Sequence, residues 1–132
     1  MTDRPPHGDG VVLDVDYIDG VFELVLVNLG PGVAYDVRVE FSHPLIGLGG
    51  QLDMRDLNLW KRLRTLRPDK EIRVFLDLAS NVFRRGKRNL FTATVTWRSD
   101  GGKRKAEYRH DLETYRGMPD IVRQTTDLSR PT

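Results

Sequence analysis

Three histidines, one acidic triplet and several basic clusters are the residues whose types and spacing suit chemistry in this 132-residue chain. His7, His43 and His110 are of the residue type that suits general acid–base work. Of these, His110 shares parity with Ala106 and Tyr108 in an alternating run, so it faces inward and reads as a hydrogen-bonded histidine at a sheet margin rather than as a base. Asp14, Asp16 and Asp19, in "DVDYID", offer the carboxylates that a hard cation such as calcium requires. Asp14 and Asp16 fall on the outer face of a strand, however, where solvated side chains are expected, and Asp19 is consumed by a turn. No serine stands in a nucleophile elbow and no glycine loop matches a phosphate cradle. The absence of cysteine removes disulfides, zinc-thiolate sites and thiol nucleophiles together. The expectation is a protein that is not an enzyme and has no catalytic residue, metal or cofactor.

The basic clusters carry more weight. "RRGKR" supplies Arg84, Arg85, Lys87 and Arg88, "KRK" supplies Lys103, Arg104 and Lys105, and "KRLRTLR" adds Lys61, Arg62, Arg64 and Arg67. Residues 1–54 hold two basic and nine acidic side chains, a net −7, while residues 55–132 hold nineteen and ten, a net +9. Such asymmetry has two readings: a face that binds nucleic acid or another polyanion, or oppositely charged strands that folding sets side by side. The second is favoured. The polyanion reading rests on Arg84, Arg85, Lys87, Arg88, Lys103, Arg104 and Lys105, with Trp60 and Phe75 as the aromatics free to stack on bases.

The elements that must position these residues are strands. Val11, Leu13, Val15 and Tyr17 alternate with Asp14 and Asp16, Asp19-Gly20 fits a two-residue type I′ turn, and Val21 to Leu29 resumes an extended apolar run. In "NLGPG", Pro31 and Gly32 fit the central positions of a type II turn, which sets Gly32 at positive φ and makes Gly32→Val destabilising. Asn28 is then placed to hydrogen-bond loop backbone, and Val33, Tyr35, Val37, Val39 and Phe41 point inward. Residues 52–66 fit neither a helix nor an edge strand cleanly. Ile72, Val74, Leu76 and Leu78 alternate, the basic residues 84–88 form a loop, and Phe91, Ala93, Val95 and Trp97 pair through "DGG" with Ala106, Tyr108, His110 and Leu112. About seven antiparallel strands predict an all-β, immunoglobulin-like two-sheet β-sandwich. The strands over 11–17, 21–29 and 72–78 share one sheet, and those over 33–41, 91–97 and 106–112 share the other.

With Phe22, Leu24 and Leu26 in the core, Val25 and Val27 fall on the outside of their sheet beside Phe75. Such a cluster must be covered. Either residues 44–66 fold over it with Leu57, Leu59 and Trp60, or Val25, Val27, Phe75 and Trp60 dock a second copy or a partner protein.

Three stretches, "VNLGPGVAYDVRVEF", "LRTLRPDKEIRVFL" and "FTATVTWRSDGGKRKAEYRHDL", resemble bacterial and archaeal immunoglobulin-like domains of the CARDB type. The turn residues that carry the resemblance are Asn28, Gly30, Gly32 and Ala34, then Leu66, Pro68 and Asp69, the last standing where glycine is commoner. The resemblance implies a non-catalytic interaction module over roughly residues 11–115 and transfers no functional residue. Residues 1–10 read as a disordered leader and 116–132 as a tail with at most one helical turn. No stretch reads as a signal peptide or transmembrane segment, so a cytoplasmic address without membrane insertion is favoured. The function expected is binding of a protein partner or self-association, with polyanion binding through the basic loops as the alternative.

Overall fold

A computed structural model describes residues 10–85, 89–117 and 123–125. Two four-stranded antiparallel sheets face each other across one apolar core. The first has the order β10 (Arg123–Gln124), β1 (Val11–Ile18), β2 (Val21–Asn28), β7 (Glu71–Leu78). The second has the order β6 (Leu63–Leu66), β3 (Ala34–Phe41), β8 (Leu90–Ser99), β9 (Gly102–Asp111). A short hairpin of β4 (Ile46–Gly47) and β5 (Leu52–Asp53), a one-turn helix α1 (Asn58–Lys61), a two-turn helix α2 (Ala79–Arg85) and short 3-10 turns at Leu48–Gly50, Met54–Asp56 and Leu112–Tyr115 complete the described elements.

The two predicted hairpins are present. Ile18 pairs with Val21 across Asp19 and Gly20, whose φ values of 51° and 79° are those of a type I′ turn. Ser99 pairs with Gly102, and the inward faces of β8 and β9 carry Phe91, Ala93, Val95, Ala106 and Tyr108 into the core. β1 closes onto β9 through side chains: the Tyr108 hydroxyl donates to the Val11 carbonyl at 2.8 Å, and His110 Nε2 lies 2.8 Å from the Leu13 carbonyl. These bonds cap carbonyls on the edge of β1 that would otherwise be unpaired.

Two β-bulges break the simple alternation. In β3 the register shifts between Tyr35 and Arg38, with Asp36 at φ 52°. Ala34 therefore points inward and Tyr35 outward, and the inward parity resumes at Val37, Val39 and Phe41. The expectation that Val33 and Tyr35 face the core is corrected, because one extra residue reverses the face of everything before it. In β7, Phe22 pairs with Asp77 and Glu23 with Phe75, leaving Leu76 as the extra residue. Leu78 is consequently turned to solvent, 46 % exposed, where strict alternation would bury it.

Gly32 is not in the left-handed region, and a Cβ built on it would meet nothing within 4 Å. The type II turn with Gly32 at positive φ is therefore absent. The arch is held instead by Asn28, 2 % exposed, whose Nδ2 donates to the Gly32 carbonyl at 2.9 Å and the Leu66 carbonyl at 2.8 Å while Oδ1 accepts from Gly30 N–H at 2.9 Å. The Asn28 carbonyl accepts from Asp69 N–H at 2.8 Å, and Asp69 has φ 64°, a conformation that explains why glycine suits this position. The two turn motifs on which the CARDB resemblance rests meet at this one side chain.

Residues 44–66 include, over 52–66, both elements that the sequence left open: α1 and then the edge strand β6. They do not cover β2. They close the seam between β7 and β3, burying Leu45, Met54 and Trp60, with Trp60 edge-on to Phe41 at 5.5 Å. Gly47 makes this possible, since a Cβ there would lie 2.3 Å from the Leu76 carbonyl. The loop expected at residues 84–88 begins as α2, and the tail contributes β10, paired with Tyr17 and Ile18. Gly10 is buried beneath Trp97; the rest of the expected leader and most of the tail lie outside the described residues.

Candidate functional site

The residues singled out by sequence separate into four places. Val25 and Val27 are both 0 % exposed and Trp60 is 1 % exposed, so none of the three is a free docking or stacking group. Phe75 is 41 % exposed on the outer face of the first sheet. The bulge at Leu76 sets Leu78 on the same face, opposite Val21, which is itself opposite Ile18. Phe75 stands opposite Glu23, in turn opposite Asp16. The result is an apolar group of Phe75, Leu78, Val21 and Ile18 bordered by charge.

That border is an ion-pair cluster. Arg73 reaches Asp16 at 2.5 Å, Glu71 at 2.8 Å and Glu23 at 3.1 Å. Asp16 is 1 % exposed, which corrects its assignment to a solvated strand face. Its carboxylate is engaged by the Arg73 guanidinium, and among the described residues no group of three or more acidic or histidine side chains is placed to hold a metal ion.

Of the "RRGKR" cluster, the described residues include Arg84 and Arg85. Arg84 is exposed, Arg85 is bound to Asp77 at 2.8 Å and to the Ile46 carbonyl at 3.0 Å, and Lys87 and Arg88 lie outside the described residues. The "KRK" cluster divides between two faces. Lys103 and Lys105 pair with Arg98 and Thr96 on the outer face of the second sheet, whereas Arg104 pairs with inward-facing Trp97 and donates through Nε to Ser99 Oγ at 3.3 Å. Arg104 lies in a groove of about 540 Å³ with Asn28, Gly30, Pro31 and Gly32, the turn residues of the β2–β3 arch.

Sequence reasoning missed the outer face of the second sheet. There Tyr35, Arg98 and Lys103 form one cross-strand row and Arg38, Thr96 and Lys105 the next, with the Arg98 guanidinium 5.7 Å from the Tyr35 ring centre. Asp36 accepts from Arg62 at 2.9 Å and Arg98 at 3.0 Å, and these bonds, that of Arg62 foremost, hold its carboxyl below the ordinary carboxylate range. The signal available in the sequence was the "YDVR" step, where an aspartate tolerant of left-handed φ stands inside an otherwise alternating strand.

A family profile described as a domain of unknown function (DUF8453) matches residues 3–116. The chain belongs to this family. The matched span takes in both sheets from β1 through β9. No curated protein matches the chain, and no solved structure does. No helix among the described residues is long and apolar enough to cross a membrane.

Proposed function

We propose that this DUF8453 chain is a non-catalytic, immunoglobulin-like interaction module of CARDB type that binds a partner protein through the outer face of its first sheet. The observation that carries this reading is the exposure of Phe75 and Leu78, 41 % and 46 %, on one face beside Val21 and Ile18. Large apolar side chains ringed by charged ones are the usual anatomy of a protein-binding patch. The histidines support a non-catalytic reading, since Nε2 of His43 and of His110 each lie within 2.9 Å of a backbone carbonyl.

The test is to identify the partner by cross-linking, purify it, and titrate it against the wild-type chain and a Phe75→Ser/Leu78→Ser variant. Loss of binding with an unchanged melting temperature is expected. Equal binding by both proteins would remove the patch from consideration, and sedimentation that depends on protein concentration alone would make the partner a second copy.

A second reading has its own observation. Lys103, Lys105, Arg38 and Arg98 share an open sheet face with the exposed ring of Tyr35, the combination of cations and aromatic surface that a polyanion such as nucleic acid requires. Labelled DNA and RNA titrated at rising salt would give binding that weakens log-linearly with salt and is reduced by Lys103→Gln/Lys105→Gln; absence of binding at low salt would retire it.

A further inference from the structure

β9 is an edge strand, last in the order of the second sheet. Its ladder with β8 fixes which backbone groups lie on the free side. Ser99 and Gly102 close a two-residue loop and exchange both hydrogen bonds, so Gly102, Arg104, Ala106, Tyr108 and His110 turn their N–H and C=O groups to β8. Lys103, Lys105, Glu107, Arg109 and Asp111 turn theirs away, and none of the backbone bonds outside the ladders reaches them. A row of unpaired donors and acceptors of this kind is a template for another strand. The edge of β1 is not comparable, because Tyr108 and His110 already engage its Val11 and Leu13 carbonyls.

The same residues carry the outward side chains of β9, all of them exposed. Among the described residues none of them is engaged in an ion pair. Charge on an edge strand ordinarily prevents pairing. Here its order, Lys105, Glu107, Arg109, Asp111, is complementary to itself read backwards. When a second copy of β9 lies antiparallel with Tyr108 opposite Tyr108, Lys105 faces Asp111 and Glu107 faces Arg109, and symmetry repeats each pair. The facing residues are those with free backbone groups, as a hydrogen-bonded ladder needs. A slip of one residue mismatches those groups. A slip of two sets Glu107 against Glu107 and Lys105 against Arg109, or Arg109 against Arg109 and Glu107 against Asp111, and like charges directly opposite each other destabilise a ladder.

We infer that β9 is a dimerisation edge, through which two copies of this chain join their second sheets into one continuous antiparallel sheet across a two-fold axis at Tyr108. Main-chain hydrogen bonds supply the affinity, and the charge order selects both a second copy as the occupant and the register. The edge is separate from the patch assigned to a partner protein, because Phe75 and Leu78 belong to the other sheet.

The test is sedimentation equilibrium of the whole chain beside Glu107→Arg, Arg109→Glu and the two substitutions combined. The wild-type chain should exchange between monomer and dimer as its concentration changes, and Phe75→Ser/Leu78→Ser should leave that equilibrium where it was. Glu107→Arg sets an arginine against Arg109, and Arg109→Glu sets a glutamate against Glu107. Each alone should raise the dimer dissociation constant about tenfold with an unchanged circular dichroism spectrum. The combined variant exchanges both charges and should restore the dimer. An equimolar mixture of the two single variants should form heterodimers, which a merely structural role for either residue does not produce. A chain that is monomeric at every concentration, a dimer indifferent to the single substitutions, or a mixture that stays monomeric would overturn the inference. Dissociation by Phe75→Ser/Leu78→Ser would overturn it equally and assign self-association to the first sheet.

Discussion

At the scale of single residues, Asn28 and Gly32 exchange the importance their types suggest. Glycine before an extended strand reads as a positive-φ position, yet Gly32 is outside that region and its missing Cβ faces open space. Gly32→Val should therefore leave the melting temperature nearly unchanged. Asn28→Ala strips the bonds to Gly30, Gly32 and Leu66 from a buried site and should cost about 3 kcal/mol, because carbonyls and an N–H are left without partners. Chemical denaturation of the two variants checks both, and a Gly32→Val loss as large as that of Asn28→Ala would refute this account of the arch. The asparagine was legible as a loop-binding residue. Its actual partner on the far arch, Leu66, was not, since 38 positions separate the two.

At the scale of elements, Asp77 joins three that share no ladder. Its carboxylate accepts from Gly49 N–H at 3.0 Å, Asn81 Nδ2 at 2.9 Å, Arg85 Nη2 at 2.8 Å and Leu78 N–H at 2.8 Å, tying α2 and the turn at Leu48–Gly50 to β7. Burial by itself would raise the Asp77 carboxyl, but the bonds from Asn81, Arg85 and the two backbone N–H groups outweigh it and hold the carboxyl below its ordinary value. A carboxyl depressed in the folded state binds its proton more readily when unfolded. Its contribution is then complete above the ordinary carboxylate pKa and is lost as pH falls through the depressed one. Wild-type stability should decline at acid pH, and Asp77→Asn should be about 2 kcal/mol less stable at neutral pH with a shallower acid decline. Identical acid limbs for the two proteins would exclude Asp77 as the coupling group. This network was hidden in the sequence because the bulge at Leu76, which turns Asp77 inward, is a property of pairing with β2.

At the scale of the whole molecule, the acidic and basic halves of the chain are interleaved rather than opposed. β7 pairs with β2, and β6 and β8 both flank β3, so each sheet mixes the halves. Arg73 meets Asp16 and Glu23, and Arg62 and Arg98 meet Asp36, which is the cross-strand use of the charge asymmetry favoured from sequence. Neither residues 1–54 nor residues 55–132 alone retain a two-sheet core. Each fragment produced separately should show no cooperative thermal transition by circular dichroism; a sharp transition in either would contradict this dependence.

Alternation, turn dipeptides and composition are local, and they sufficed for the two hairpins, the assignment of strands to sheets and the inward face of β8 and β9, because a period-2 pattern records which side of a strand is wet. What only the tertiary structure decided depends on pairing between distant segments. The bulges at Asp36 and Leu76 turned Tyr35 and Leu78 outward, and the surroundings of β2 buried Val25 and Val27. A one-residue offset between strands costs little locally and reverses every face beyond it. The surfaces proposed for binding were therefore settled by register, while the core was settled by pattern.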